Sequence, residues 1–169
     1  MELIIKTLND DGTFPNSKLP LLYYPGAVLL GRDKAGEIEE LFEKNGWSGV
    51  WRDGVYTFHH YHSTAHEVLG VFAGSAKLQF GGEHGPTYTV NPGDVVVIAA
   101  GVAHKNLGAT GDFRVVGAYA DGREWDMNYG KAGERPGTDR NIAKVPVPGS
   151  DPVYGAQGPL LQHWRGAAN

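Results

Sequence analysis

After residue 54 the chain breaks into short β-branched and aromatic runs, each ended by Gly, Pro, Asn or Ser, and this punctuation constrains the fold most. Residues 55–62, 67–72, 76–80, 87–90, 95–99 and 113–119 read as strands, since such side chains suit a pleated, half-buried surface. Gly74-Ser75 and Asn91-Pro92-Gly93-Asp94 read as tight turns, and 81–86 as a loop. Strands this short and this closely spaced leave no room for crossover helices, so the pattern predicts an all-β sandwich or barrel. Residues 2–6 read as a further strand, and 9–25 as a turn-rich connection carrying Pro15, Pro20 and Pro25.

One amphipathic helix is predicted, over 33–44. Ile38, Leu41 and Phe42 share a face there, and Asn45-Gly46 supplies a stop. Residues 121–169 are rich in Gly and Pro (Pro136, Pro146, Pro148, Pro152, Pro159) but also carry Trp125, Tyr129, Val145, Val147, Tyr154, Leu160, Leu161 and Trp164. That is too much apolar surface for a free linker. We expect an ordered arm of low helix and strand content, packed on a core of about 50–120 within one domain spanning 1–169.

Composition excludes several functions. No run of 18 apolar residues exists in the sequence, so a membrane-spanning helix is not expected. The start, Met1-Glu2-Leu3-Ile4-Ile5-Lys6, lacks the basic flank and long apolar stretch of a secretory signal. A chain with no cysteine has neither disulfides nor thiolate chemistry, and a cytoplasmic location is expected. A net charge of -4 without a basic cluster argues against nucleic acid as a partner.

The chemistry concentrates between His60 and His104. His60 and His62 lie one residue apart, so on extended backbone both point to one face. Glu67 follows a Ser63-Thr64 corner and can return on the neighbouring strand, while His104 follows a Gly-rich turn. Any one of these histidines alone reads as a satisfied polar residue. Four such groups converging without a cation would each need a separate partner, so the set points to a divalent metal held by three nitrogens and one oxygen. His59 and Tyr61 have the opposite parity and should face away, toward outer-face or interface packing. A corner one residue shorter would bring His66 to the pocket in place of Glu67. His84 and His163 read as surface residues. A zincin motif at His66-Glu67 fails because Gly70 stands at the third ligand position, and 81–85 lacks the Lys-Ser/Thr ending of a phosphate loop.

The spacing Gly54, five residues, His60-x-His62, four residues, Glu67, six residues, Gly74 resembles the first motif of the cupin superfamily. Gly93, Gly101 and His104 are similar to the second motif, with Ala99 where the family has Pro and Gly108 where it has Asn. The stretch 59–70, Trp125-Asp126-Met127 and 151–155 resemble more particularly the YjlB-type cupins. The resemblance implies a double-stranded β-helix, a jelly-roll barrel, with His60, His62, Glu67 and His104 as metal ligands. The same four follow from the parity argument.

Such a donor set suits Mn, Fe, Co, Ni, Cu or Zn. The expected partner is a small-molecule substrate or ligand. A metal-dependent dioxygenase on a small organic acid or enol stands first; a sugar isomerase or epimerase, and a non-catalytic binder with a structural metal, stand beside it. A homodimer is expected from family likeness and from the commonest symmetry of small oligomers. Phe58, Gln79, Asn106 and Tyr119 are candidate lining residues.

Overall fold

A computed structural model describes residues 2–168, so Met1 and the arm's final Asn169 lie outside the described residues. Nine strands among the described residues carry the structure: β1 (Ile4–Leu8), β2 (Ser17–Tyr24), β3 (Trp47–Asp53), β4 (Glu67–Ala73), β5 (Ala76–Phe80), β6 (Thr87–Val90), β7 (Val95–Ile98), β8 (His104–Ala109) and β9 (Arg114–Ala120). They form a six-stranded sheet in the order β1-β2-β7-β4-β9-β3 and a three-stranded sheet in the order β6-β5-β8. Every described strand pair is antiparallel. Leu78, Phe80 and Val90 of the small sheet join Val68, Leu69, Val96 and Val115 of the large one in a single buried cluster. The architecture is the cupin double-stranded β-helix in the form of two facing sheets; no closed barrel joins them among the described residues.

The central β4 shows why the site lies between the sheets. Glu67 and Leu69 face the interior cavity, while Gly70, of opposite parity, faces the helix α1 (Lys34–Lys44). A Cβ on Gly70 would stand 2.7 Å from the Ile38 side chain and 2.9 Å from that of Phe42. The missing side chain is what lets α1 lie close against the sheet. Asp33 caps this helix by accepting the Gly36 N–H at 3.2 Å.

The structure departs from the sequence expectation in four places. β2 lies inside the stretch expected to be turns; Pro20 occupies a position with no described ladder pairing, next to the irregularity between Lys6 and Leu8, so its missing N–H costs no sheet bond. β3 precedes the strand expected at 55–62, which has only isolated bridges at His60 and Tyr61. His104, expected to follow a corner, opens β8, a strand absent from the expected set. The arm holds two helices, α2 (Gly137–Lys144) and α3 (Pro159–Ala168), where little helix was expected.

α3 is anchored by one carboxylate. Asp151 is fully buried and accepts from the Tyr24 hydroxyl at 2.5 Å, the Val153 N–H at 2.8 Å, the Tyr154 N–H at 3.0 Å and the Leu160 N–H at 3.1 Å. The helix then buries Leu160, Leu161 and Trp164, and the Trp164 indole N–H donates to the Pro20 carbonyl at 2.8 Å. Replacing Asp151→Ala strands those donors in the interior and is expected to cost about 3 kcal/mol, lowering Tm by roughly 6–12 °C for a chain of this size. Tyr24→Phe removes a single partner and should cost about 1 kcal/mol. Thermal melts of both variants check the ordering, and equal losses would contradict the anchoring role of the carboxylate.

Candidate metal centre

His60 and His104 face each other across a two-residue bridge, with the His60 N–H donating to the His104 carbonyl at 3.2 Å and the His104 N–H to the His60 carbonyl at 2.9 Å. This pairing brings their ring centroids to 4.0 Å. His62 follows on the same face of the chain, and one nitrogen from each of the three rings lies within 4.8 Å of the others. All three residues are buried.

The tautomers follow from the partners. Nδ1 of His60 meets the Phe58 carbonyl at 3.0 Å, Nδ1 of His62 meets the Asp126 carbonyl, and Nδ1 of His104 meets the Val102 carbonyl at 3.1 Å. A carbonyl can only accept, so each Nδ1 carries the hydrogen and each Nε2 turns a lone pair inward. Glu67 lies beside two of these lone pairs: its Oε2 is 3.5 Å from His62 Nε2 and its Oε1 is 3.2 Å from His104 Nε2. Its carboxylate falls outside the radius that groups the three imidazoles.

Electron-rich atoms thus face one another at the buried end of the pocket, an arrangement that a positive charge among them would favour. Burial would raise Glu67, but the adjacent His62 and His104 hold it well below the carboxylate range. Burial would likewise depress His62, yet the Glu67 charge outweighs it and raises His62. Burial, reinforced by His104, lowers His60 to about 3. One proton satisfies this arrangement on His62; a divalent ion satisfies it on every donor. The buried His60, His62 and His104 group can hold a metal ion.

These residues and Glu67 line a cavity of about 490 Å3, whose walls include Trp51, Tyr56, Leu69, Tyr119, Trp125 and Met127. The Trp51 indole N–H donates to the Tyr119 hydroxyl at 3.0 Å. Burial first, then the Glu67 charge, push the Tyr119 phenol up, so it stays neutral. Of the lining residues expected from sequence, Tyr119 is present. Phe58 lies half-exposed and stacks on Tyr56, Gln79 donates to the Glu83 and Gly85 carbonyls, and Asn106 holds the Val55 carbonyl and the Gly108 N–H.

The opposite-parity residues point elsewhere, as expected. Tyr61 is fully buried with Phe14 and Ala103, and its hydroxyl meets Thr138 at 3.0 Å and Glu134 at 3.2 Å. His59 packs on Phe14 with ring centroids 5.5 Å apart. His66 turns from the pocket toward the arm: its Nδ1 accepts from the Ala100 N–H at 2.9 Å, its Nε2–H donates to the Pro146 carbonyl at 3.2 Å, and its ring packs on Trp164.

Sequence reasoning missed Asp126. Its carboxylate accepts from the Ser63 N–H at 2.6 Å and from Asn128 Nδ2 at 3.0 Å, while its carbonyl fixes the His62 ring. Asn128 and Tyr61 exchange backbone hydrogen bonds at 2.9 and 3.0 Å, so this part of the arm pairs with the ligand-bearing segment. The Trp125-Asp126-Met127 triplet was visible in the sequence, but nothing local tied it to His62.

Two facing antiparallel sheets with a buried histidine cluster between them, carried by the His60-x-His62…Glu67 and His104 motifs, define a cupin. The chain belongs to the YjlB family of cupins: it is 42% identical over 156 residues to the protein YjlB of Bacillus subtilis, covering 92% of each chain. No family model matches the chain. Among solved structures it is similar to the vicilin of Solanum melongena (25% identity, TM-score 0.36), covering 47% of this chain and 24% of that one. It is also similar to a Klebsiella pneumoniae protein with a double-stranded β-helix domain (20% identity, TM-score 0.35), covering 47% of this chain and 66% of that one. No helix among the described residues is long and apolar enough to cross a membrane.

The environment of His66 gives a pH dependence with a definite sign. Burial lowers it from near 6.5 to about 4. The neutral ring therefore stabilises the fold in full above pH 6.5, and that contribution, about 3 kcal/mol, is lost as pH falls toward 4. Denaturant midpoints of the metal-free protein should drop over this window, and by less in His66→Gln, which cannot titrate. An identical drop in both proteins would refute the assignment.

Proposed function

We propose that the chain is a metal-dependent enzyme of the cupin type, a dioxygenase acting on a small organic molecule, with His60, His62, Glu67 and His104 holding one divalent transition ion. The observation that carries this reading is that the buried His60, His62 and His104, with Glu67 beside them, line a cavity of about 490 Å3. An ion with a purely structural role has no need of that adjoining space.

Each residue has a separate task. The three Nδ1–H donations to carbonyls fix the imidazole planes. Glu67 supplies the negative charge that leaves a divalent ion near +1. Tyr119, held by Trp51, offers a neutral hydroxyl inside the cavity. Leu69, Trp125 and Met127 exclude water from the substrate side. When bound, the ion supplies Lewis acidity toward a substrate oxygen and, where it is Fe or Mn, a redox partner for dioxygen.

Elemental analysis of the purified protein is expected to find close to one transition ion per chain, and His62→Ala to hold it at least about tenfold more weakly. Ion uptake should weaken as pH falls, because the ion competes with protons for His62, whose hold on a proton the Glu67 charge strengthens. With Fe(II) or Mn(II), dioxygen uptake is expected on candidate diketones or enediols. A chain purified empty and indifferent to added ions would end the metal reading; equal turnover without oxygen would replace the dioxygenase by an isomerase. A homodimer belongs to the same reading, and a monomer in sedimentation at micromolar concentration would remove it.

A further inference from the structure

The walls of the cavity say more than its volume. We propose that the site accepts a small planar ring bearing a pair of oxygen donors, a phenolate or enolate monoanion, and rejects phosphorylated sugars and nucleotides. This rests on the metal reading above.

The first observation is a flat aromatic face beside the ligands. Tyr119 and Trp125 lie nearly parallel, at 18° with centroids 6.0 Å apart. The His62 ring stands edge-on to both, at 5.4 Å from Trp125 and 6.1 Å from Tyr119. Trp51 closes the same wall from β3. Its indole lies directly on Gly117 of β9, where a Cβ would come within 2.1 Å of the ring. Only glycine at 117 lets the indole occupy that place, and its N–H then holds the Tyr119 hydroxyl. Flat apolar faces reward a flat ligand, because offset stacking adds to the burial of its surface.

The second observation is the charge of the lining. Besides the histidines and Glu67, the charged groups there are Arg52 and Asp53. Arg52 is spoken for: its guanidinium makes two contacts to Glu39, at 3.0 and 2.6 Å. Asp53 carries no positive charge, and its carboxylate accepts the Gly54 N–H at 2.7 Å. Among the described residues the cavity therefore has no unpaired cation to match a phosphate, whose recognition usually takes Arg, Lys or a helix N-terminus. An onium cation would suit the aromatic walls alone, but an ion left near +1 by three imidazoles and one carboxylate repels it. The same residual charge favours a monoanionic oxygen donor.

The third observation lies at the mouth. Trp125 is 47% exposed and Tyr56 54%. Tyr56 stacks on Phe58 with centroids 4.9 Å apart, and Phe58 leans on Tyr129 at 5.7 Å. The aromatic surface thus continues from the cavity to the outside, where an approaching ring meets it first.

Two hydroxamates that share one metal-binding head and differ by a phenyl ring separate the wall from the ion. Zn(II)-loaded protein is titrated by calorimetry, with tryptophan fluorescence as a second readout. Benzohydroxamate is expected to bind at least about tenfold more tightly than acetohydroxamate and to quench fluorescence. Trp125→Ala, shown to be folded by circular dichroism and compared in its Zn(II)-loaded form, should lose most of that preference while acetohydroxamate affinity falls far less than benzohydroxamate affinity, and Trp125→Phe should retain it. Glucose 6-phosphate should not compete at millimolar concentration. Equal affinity for the two hydroxamates, an equal loss of both in Trp125→Ala, or competition by the sugar phosphate would overturn the proposal while the metal reading stands. Absence of Zn(II) uptake by the unaltered chain would overturn the metal reading and the proposal together.

Discussion

Everything at this site follows from where three hydrogens point. By giving the Nδ1 hydrogens of His60, His62 and His104 to backbone carbonyls, the fold commits three Nε2 lone pairs to the interior, where Glu67 adds a carboxylate. Lone pairs gathered in a buried site repel one another. A positive charge among them relieves that repulsion. A proton satisfies part of the set: against burial, the Glu67 charge raises His62, while burial first and then His104 lower His60. A divalent ion would satisfy all of it, in a geometry that the backbone carbonyls set.

The sheets alone do not fix that geometry. His62 is oriented by Asp126, which belongs to the arm, and Asp126 is held in turn by Ser63 and Asn128. Asn141 of α2 donates to the Ser63 hydroxyl at 3.1 Å, and the Tyr61 hydroxyl meets Thr138 of α2 and Glu134 just before it. The ligand-bearing segment, which has no regular ladder of its own, is therefore clamped between the sheet and the arm. Loosening the arm is a perturbation of the metal centre, even though no arm residue belongs to the histidine cluster.

The convergence of His60, His62 and His104, with Glu67 beside them, was legible in the sequence from two simple constraints: alternation along extended backbone, and donor types that make sense together around a cation. Parity placed Tyr61 and His59 away from the pocket for the same reason. β2 was not legible, since Pro20 reads as a breaker until the neighbouring register irregularity leaves it unpaired. β3 was hidden by Gly49, which sits where the pairing with β9 shifts. α2 buries only Thr138 among its described residues and so has almost no apolar periodicity to read. α3 did carry a signal, a Pro at its first turn followed by Leu160, Leu161 and Trp164, which the surrounding Gly and Pro content masked.

The two departures from the second cupin motif are explained by contacts of neighbouring residues. Where Pro would stiffen the turn after β7, Ala99 stands instead. The turn is held by the Ala100 N–H on His66, by the Gly101 N–H on the His62 carbonyl at 2.8 Å and by the Val102 N–H on the Ala99 carbonyl at 3.1 Å. His66, which from sequence competed with Glu67 for the metal, thus fixes the corner that delivers His104. Where the motif's Asn would stand, Gly108 donates its N–H to the Asn106 side chain at 2.9 Å, and Asn106 also ties β8 to the Val55 carbonyl at 3.3 Å. A proline ring and an asparagine have been exchanged for a buried imidazole and a shifted amide, and the backbone path to His104 is held at both ends. The imidazole brings one property that a proline lacks: it titrates, so the rigidity of this corner depends on pH while that of a proline turn would not.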